Sequence, residues 1–185
     1  MAFMHRFLCW NLRSASIVCF IFVAITSFFA LVMRLVDLLA IGTEFEISQG
    51  FHTAWRSHQW RAFLASDIVL TFNHVVICFF SIFMLMQVTY RHFVMYMFWL
   101  KWFIILFIAY IFIEFCFSVF EYAYYGMNTF RLAYVVWTWL YWLGRTLCNM
   151  MFTVILIARK QEILEETDRE LRFAGEKKRH GLGYY

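Results

Sequence analysis

Ionisable side chains interrupt the most apolar stretches of the sequence, and any chemistry inside those stretches would use them. The ones deepest inside apolar runs are Arg34, His74, Glu114 and Arg145. An unpaired arginine at mid-membrane costs at least about 2.5 kcal/mol, so charged residues there normally face one another, a bundle interior or a water-filled cavity. The chemistry open to these residues is ion pairing, proton uptake at His74 and Glu114, or binding of a ligand.

Polar residues around these four repeat at spacings of three and four, which places them on one face of each helix. The four polar stripes are Ser27, Ala30, Arg34 and Asp37; Asp67, Thr71, His74, Cys78 and Ser81; Tyr110, Glu114, Ser118 and Glu121; and Thr138, Tyr141, Arg145 and Asn149. Because the helices must bring such stripes together, we expect an intramembrane polar network in the outer half of a bundle. The members of this polar network are Arg34, Asp37, His74, Glu114, Arg145 and Asn149.

Ion pairing is the least costly arrangement of the polar network. It would direct Arg145 toward Glu114, and Arg34 toward Glu114 or Asp37. In a structural role, such buried pairs fix which helices meet and in what rotation. In the alternative role, the network lines a hydrated pocket open to the outside, in which His74 and Glu114 take up protons or bind a ligand.

Long apolar segments position these residues. Apolar residues make up 64% of the 185 and charged residues 15%, whereas globular chains average roughly half and about a quarter. Crossing a hydrocarbon core of about 30 Å takes about 20 helical residues. The segments long enough are 15–41, 65–90, 93–121 and 131–158, with an outer loop at 42–64. The sequence therefore predicts an all-α membrane protein, a bundle of four long transmembrane helices. Gly144 and Cys148, small residues four apart, are expected to let the fourth helix approach a neighbour closely.

Positive charge predicts the orientation of the bundle. An even number of spans puts both termini on one side, and lysine and arginine are concentrated in 1–14, before the first span, and 159–185, after the fourth. Both segments are therefore expected in the cytoplasm. The tail mixes charges at helical spacing, so it should continue the fourth helix to about residue 174 and stop near Gly175.

Two peripheral sets are candidates for attachment to the membrane. Cys9 lies just before the first span, where reversible palmitoylation is one option and an inert thiol the other. Lys177, Lys178 and Arg179 would contact anionic lipid if they lay near the surface, and otherwise form a solvated end.

Motifs of enzymatic chemistry are absent from the sequence. It contains no Gly-x-Ser-x-Gly elbow, no phosphate-binding glycine loop, no His-Glu-x-x-His and no Cys-x-x-Cys pair. His52 and His58 are six residues apart, a spacing that does not place both on one helical face, so no metal site is expected. We expect no enzyme, no cofactor and no nucleic-acid partner.

Residues 9–18, Cys-Trp-Asn-Leu-Arg-Ser-Ala-Ser-Ile-Val, resemble the segment before the first span of the lysosome-associated four-pass transmembrane proteins. In that family, a cysteine-rich patch leads to Leu/Val-Arg-Thr-Gly-Thr-Ile-Ile. The resemblance covers these ten residues and the four-pass plan. It implies an endolysosomal adaptor for other membrane proteins. The family's proline-tyrosine ligase-binding motifs are missing, because the chain has no proline.

Taken together, these features predict a non-enzymatic multi-pass membrane protein that acts by association, as an accessory subunit or as a trafficking or adaptor partner of other membrane proteins. Its expected partners are the lipid bilayer and another membrane protein or a second copy of itself. The alternative is a small channel or proton-linked carrier that uses the polar network. The endolysosomal membrane and the plasma membrane are both compatible with the sequence.

Overall fold

Long helices dominate the computed structural model of the chain. It describes residues 6–7, 10–42, 60–89, 93–125 and 133–181. Within these residues there are four helices: α1 (Leu12–Gly42), α2 (Trp60–Thr89), α3 (Phe93–Tyr125) and α4 (Ala133–Gly181). Ahead of α1, the short strands β1 (Arg6–Phe7) and β2 (Trp10–Asn11) form an antiparallel pair.

Each helix packs against the next one in the sequence, and α4 closes the bundle against α1. Contacts join the end of one helix to the start of its neighbour, as between Arg34 of α1 and Asp67 of α2, so adjacent helices are antiparallel. Within the described residues, all four helices contain a segment long and apolar enough to cross a membrane. These segments are Leu12–Val36, Ala65–Val88, Met95–Phe120 and Trp139–Phe173. The predicted all-α bundle of a multi-pass integral membrane protein is confirmed.

Several helix boundaries differ from the predicted ones. Helix α1 begins at Leu12, and α2 begins at Trp60, inside the predicted outer loop at 42–64. The predicted stop near Gly175 is wrong, because α4 continues to Gly181. A glycine within a helix costs only about 1 kcal/mol relative to alanine, and good helix formers such as glutamate and lysine follow it.

Buried aromatic side chains fill the middle of the bundle toward its inner end, the end that holds the start of α1 and the charged part of α4. Phe20 of α1 packs edge-to-face on Phe103 of α3, with ring centroids 5.1 Å apart at 88°. Phe80 of α2 lies 5.3 Å from the same ring, and Phe107 stacks beside it at 5.5 Å. Edge-to-face and offset pairs are the favoured aromatic geometries. We call Phe20, Phe80, Phe103 and Phe107 the aromatic layer.

Candidate intramembrane polar site

Arg145 of α4 and Glu114 of α3 form an ion pair inside the bundle. Nη2 of Arg145 contacts Oε1 of Glu114, and the side chains are only 3% and 4% exposed. Nη1 of Arg145 also donates to the Thr26 carbonyl of α1, at 3.4 Å. The guanidinium carbon lies 5.6 Å from the ring centre of Tyr141 and 6.0 Å from that of Tyr110, within the range of a cation–π contact. The predicted pairing of Arg145 with Glu114 is confirmed.

Arg34 forms the second ion pair, but with a partner that sequence reasoning missed. Its Nη1 donates to Oδ1 of Asp67 on α2 at 2.6 Å, with side chains 16% and 6% exposed. Glu114, one of the two predicted partners, is engaged by Arg145 instead. The side chain of Asp37, the other predicted partner, lies outside the described residues. Antiparallel packing brings the start of α2 beside the end of α1, and this places Asp67 next to Arg34. The sequence did contain a sign of this pairing, because Asp67 lies on the same helical face as His74.

His74 belongs to a hydrogen-bonded chain that crosses three helices. Its Nδ1 lies 3.2 Å from the hydroxyl oxygen of Tyr110 on α3, and both side chains are buried. A side-chain hydrogen bond joins the same hydroxyl to Ser27 of α1. The Asn73 amide donates to the Tyr110 carbonyl at 3.4 Å. His74 is therefore next to a phenol hydroxyl whose hydrogen bonds join α1, α2 and α3.

Thr26 is the point at which α4 is attached to α1. Its carbonyl oxygen accepts a hydrogen bond from the Tyr141 hydroxyl at 2.8 Å as well as the one from Arg145. The ring of Tyr141 also packs edge-to-face on Phe29 of α1, with centroids 5.4 Å apart. Two successive turns of α4 thus contact one turn of α1 through polar groups, which fixes the rotation of α4 about its own axis.

Several buried polar atoms near the ion pairs lack a hydrogen-bond partner within the part of the chain that the structure describes. They are Nε of Arg145, Nε1 of Trp142, Oγ1 of Thr71, Oγ1 of Thr146 and Oδ1 of Asn149. Asn149, a predicted member of the polar network, is buried one helical turn further in than Arg145. Buried polar atoms are nearly always satisfied in folded proteins, so five such atoms around the ion pairs are an unusual concentration.

A small cavity lies among these side chains in the outer half of the bundle. The residues that line it are Ala30, Met33 and Arg34 of α1, His74 of α2, Glu114 and Ser118 of α3, and Trp139, Tyr141, Trp142 and Arg145 of α4. The centres of water-sized molecules can occupy about 60 Å³ of it. One water needs about 10–15 Å³ on that measure, so this outer cavity holds a few waters or a small ion.

The aromatic layer lies on the inner side of the outer cavity. The Tyr110 ring stacks on Phe107 with centroids 6.1 Å apart and planes at 6°. Phe103 and Phe20, the next rings toward the inner end, are fully buried. Among the described residues, these packed rings therefore lie between the outer cavity and the inner end of the bundle.

The last ten described side chains of α4 form a surface that the rest of the bundle hardly covers. Ile163 is fully buried in the core, but from Asp168 to Phe173 every side chain is exposed. Leu164 is 41% exposed and Leu171 is 66% exposed, and their spacing of seven places them on the same face of the helix. At a rise of about 1.5 Å per residue, the 49 residues of α4 extend about 74 Å, more than twice the hydrocarbon core. We call residues 159–181 the α4 extension.

The remaining predicted sites fall largely outside what the structure describes. Cys9 lies in an undescribed segment, as do the side chains of Lys177, Lys178 and Arg179, whose backbone is part of α4. Within the described residues, no group of three or more His, Cys, Asp or Glu side chains could hold a metal ion.

Comparison of the chain with protein-family models, with curated proteins and with solved structures finds no match. A function for this protein can therefore be proposed only from its own sequence and structure.

Proposed function

We propose that this integral membrane protein acts by association, as a non-enzymatic accessory subunit or trafficking partner that binds another membrane protein through its α4 extension. The observation that carries the proposal is the exposed pair Leu164 and Leu171 on the α4 extension, the part of α4 in which charged residues are frequent from Arg159 onward. Helices in proteins gain most of their stability from packing an apolar face, and isolated helices are marginal in water. A binding partner would supply that packing.

The polar network has a structural role in this proposal. Arg145, Glu114, Arg34 and Asp67 form two interhelical ion pairs that specify which helices meet. The aromatic layer favours this role over that of a channel or carrier, because a transport path would have to pass the rings of Phe20, Phe103 and Phe107, which are fully buried. In liposomes, the purified protein should accordingly carry no proton or ion flux above that of empty vesicles.

The test of the proposal is quantitative co-purification in mild detergent with two matched variants. L164Q/L171Q makes the proposed face polar, whereas F173Q changes a residue that is 69% exposed and lies about half a turn away from Leu171. One membrane protein should be recovered in a fixed ratio with the wild type and F173Q, and lost with L164Q/L171Q. Equal recovery with both variants would contradict the proposed face.

The membrane in which the protein acts is also part of the proposal. The resemblance of residues 9–18 to the lysosome-associated four-pass proteins supports an endolysosomal location, and the plasma membrane is the alternative. Colocalisation of the tagged protein with markers of the two membranes separates these locations.

A further inference from the structure

We propose that a groove between α3 and α4 binds one anionic phospholipid, with an acyl chain along the groove and the phosphate between Lys101 and Lys160. The lipid belongs to the leaflet at the inner end of the bundle. This inference does not depend on the partner face formed by Leu164 and Leu171. It rests on the composition of the groove and on the two lysines that follow its walls toward the inner end.

The α3–α4 groove is an apolar depression in the surface that faces the membrane. Its volume is about 430 Å³, within the range of about 300–1,000 Å³ that is typical of pockets for small molecules. Phe112 and Met150 on its walls are 67% and 49% exposed, and in a membrane such side chains contact lipid. The residues that line the groove are Ile108, Ile111, Phe112 and Phe115 of α3 and Met150 and Thr153 of α4.

The walls of the groove suit an acyl chain better than a polar ligand. Thr153 is the one polar residue of the described lining, and its hydroxyl donates to the Asn149 carbonyl at 2.9 Å. It therefore has no hydrogen to donate to a ligand. At the outer end of the groove, the ring of Phe115 lies beside that of Trp142, with centroids 6.2 Å apart. That contact joins α3 and α4, so a chain in the groove extends from there toward the inner end.

Two lysines lie on the same helical faces as the groove, at its inner end. Lys101 precedes Ile108 by seven residues, and Lys160 follows Thr153 by seven, a spacing that returns to nearly the same face of a helix.

The ion pair between Glu114 and Arg145 sets the level of each lysine along the bundle. Thirteen residues inward from that pair lie Lys101 on α3 and Ala158 on α4. Lys160 is two residues further, about 3 Å along the axis. Helices in contact lie about 8–10 Å apart, so the flexible side chains of the two lysines can converge on one phosphate.

Neither lysine has a carboxylate within reach on its own helix. The residues three and four positions away from Lys101 and Lys160, where a helical ion-pair partner would lie, are all apolar. Glu162, the acidic residue nearest to Lys160 in the sequence, pairs with Arg159 at 2.5 Å. Two cations on one pair of helices thus lack a counter-charge among the described residues. A lipid phosphate supplies one, and the apolar stems of the lysines let their ammonium groups reach the membrane surface.

Native mass spectrometry of the purified full-length protein in mild detergent measures the binding. The protein is titrated with phosphatidylserine and, separately, with zwitterionic phosphatidylcholine, and the dissociation constant of the first bound lipid is compared. Phosphatidylserine should bind at least about tenfold more tightly. Glycerophosphoserine, which has the same headgroup but no acyl chains, should not displace it at equal concentration.

Charge variants test the headgroup end of the site. K101Q/K160Q should weaken the binding of phosphatidylserine at least about tenfold and leave that of phosphatidylcholine unchanged. Neither lysine is fully buried, so the fold does not depend on them, and K101R/K160R should retain tight binding. R13Q/R172Q is the matched control, because it removes two exposed cations of α1 and α4 that lie away from the groove, and it should bind like the wild type.

A bulky side chain tests the groove itself. M150W adds a large ring to one wall and should weaken the binding of phosphatidylserine at least about tenfold. M151W is the control, since Met151 is equally exposed at 48% but points about 100° away and does not line the groove.

Three outcomes would overturn the proposal. Equal affinity of the wild type for the two lipids would show that no headgroup site exists. Equal weakening by K101Q/K160Q and R13Q/R172Q would show that overall charge alone attracts the lipid. Equal affinity of M150W and M151W for phosphatidylserine would show that no chain occupies the groove. Because the assay contains no partner protein, these results are separate from the test of the proposed function.

Discussion

Arg145 of α4 is bound to Glu114 of α3 and to the Thr26 carbonyl of α1 by two nitrogens of the same guanidinium group. One side chain therefore joins three helices at a depth where an unpaired charge would be costly. The third nitrogen, Nε, has no partner among the described residues and belongs to a side chain that lines the outer cavity. The side chain that joins three helices of the bundle thus also lines its outer cavity.

Removing Arg145 alone should be more damaging than removing it together with Glu114. R145L leaves a buried carboxylate without its cation and should lower the free energy of unfolding by about 3–5 kcal/mol. R145L/E114Q should recover part of that loss, because the remaining amide carries no charge. Unfolding of each variant in detergent, followed by circular dichroism, measures the effect. Strict additivity of R145L and E114Q would show that the two side chains do not interact.

The pair between Arg34 and Asp67 should contribute less to stability than the Arg145–Glu114 pair. Arg34 is 16% exposed, so water can partly replace a lost partner. D67N should lower the free energy of unfolding by about 1.5–3 kcal/mol, the range for a hydrogen bond to a charged group. The same unfolding assay checks this, and a loss as large as that of R145L would contradict the difference in burial.

Tyr110 should be required for the hydrogen-bonded chain across α1, α2 and α3. Y110F keeps the ring that stacks on Phe107 but removes the hydroxyl that contacts His74 and Ser27. Leaving these buried groups unpaired should destabilise the protein by about 1–3 kcal/mol. Y96F removes another buried hydroxyl of α3, which is hydrogen-bonded to Ser16 of α1, and it is the positive control for the loss of one buried interhelical hydrogen bond. If Y110F unfolds at the same midpoint as the wild type, the hydrogen bonds of the Tyr110 hydroxyl do not stabilise the protein.

Gly144 should tolerate alanine. The sequence led us to expect a close helix contact at Gly144 and Cys148, but a Cβ added at position 144 meets nothing within 4 Å. G144A should therefore raise the free energy of unfolding, by about 0.5–1 kcal/mol, because alanine loses less backbone entropy in a helix. A clear loss of stability in G144A would instead support the close helix contact that the sequence predicts at this position.

The sequence allowed the Arg145–Glu114 pair to be predicted because the cost of an intramembrane charge leaves few arrangements. The partner of Arg34 was less constrained. Two carboxylates lay within plausible reach, and the pattern of polar residues does not specify how far each helix is rotated against its neighbour. The structure pairs Arg34 with Asp67, a residue that the stripe on α2 had placed on the right face.

Helix ends were predicted less well than helix faces. Hydropathy marks where a chain enters hydrocarbon, but it does not mark where a helix stops once it is in water. The charged part of α4 remains helical through Gly175 to Gly181, because the residues around that glycine are good helix formers. This helical continuation creates the exposed face of the α4 extension. Only the structure shows how little of that face the rest of the bundle covers.

The face formed by Leu164 and Leu171 tests the proposed function most directly. A photoreactive amino acid is introduced at position 171, and at position 173 as the control, and intact cells are irradiated. We predict that position 171 crosslinks to one membrane protein, the same one that co-purifies with the wild type, and that position 173 crosslinks to it much less. Crosslinking of both positions to lipid or to many unrelated proteins would contradict association through the α4 extension.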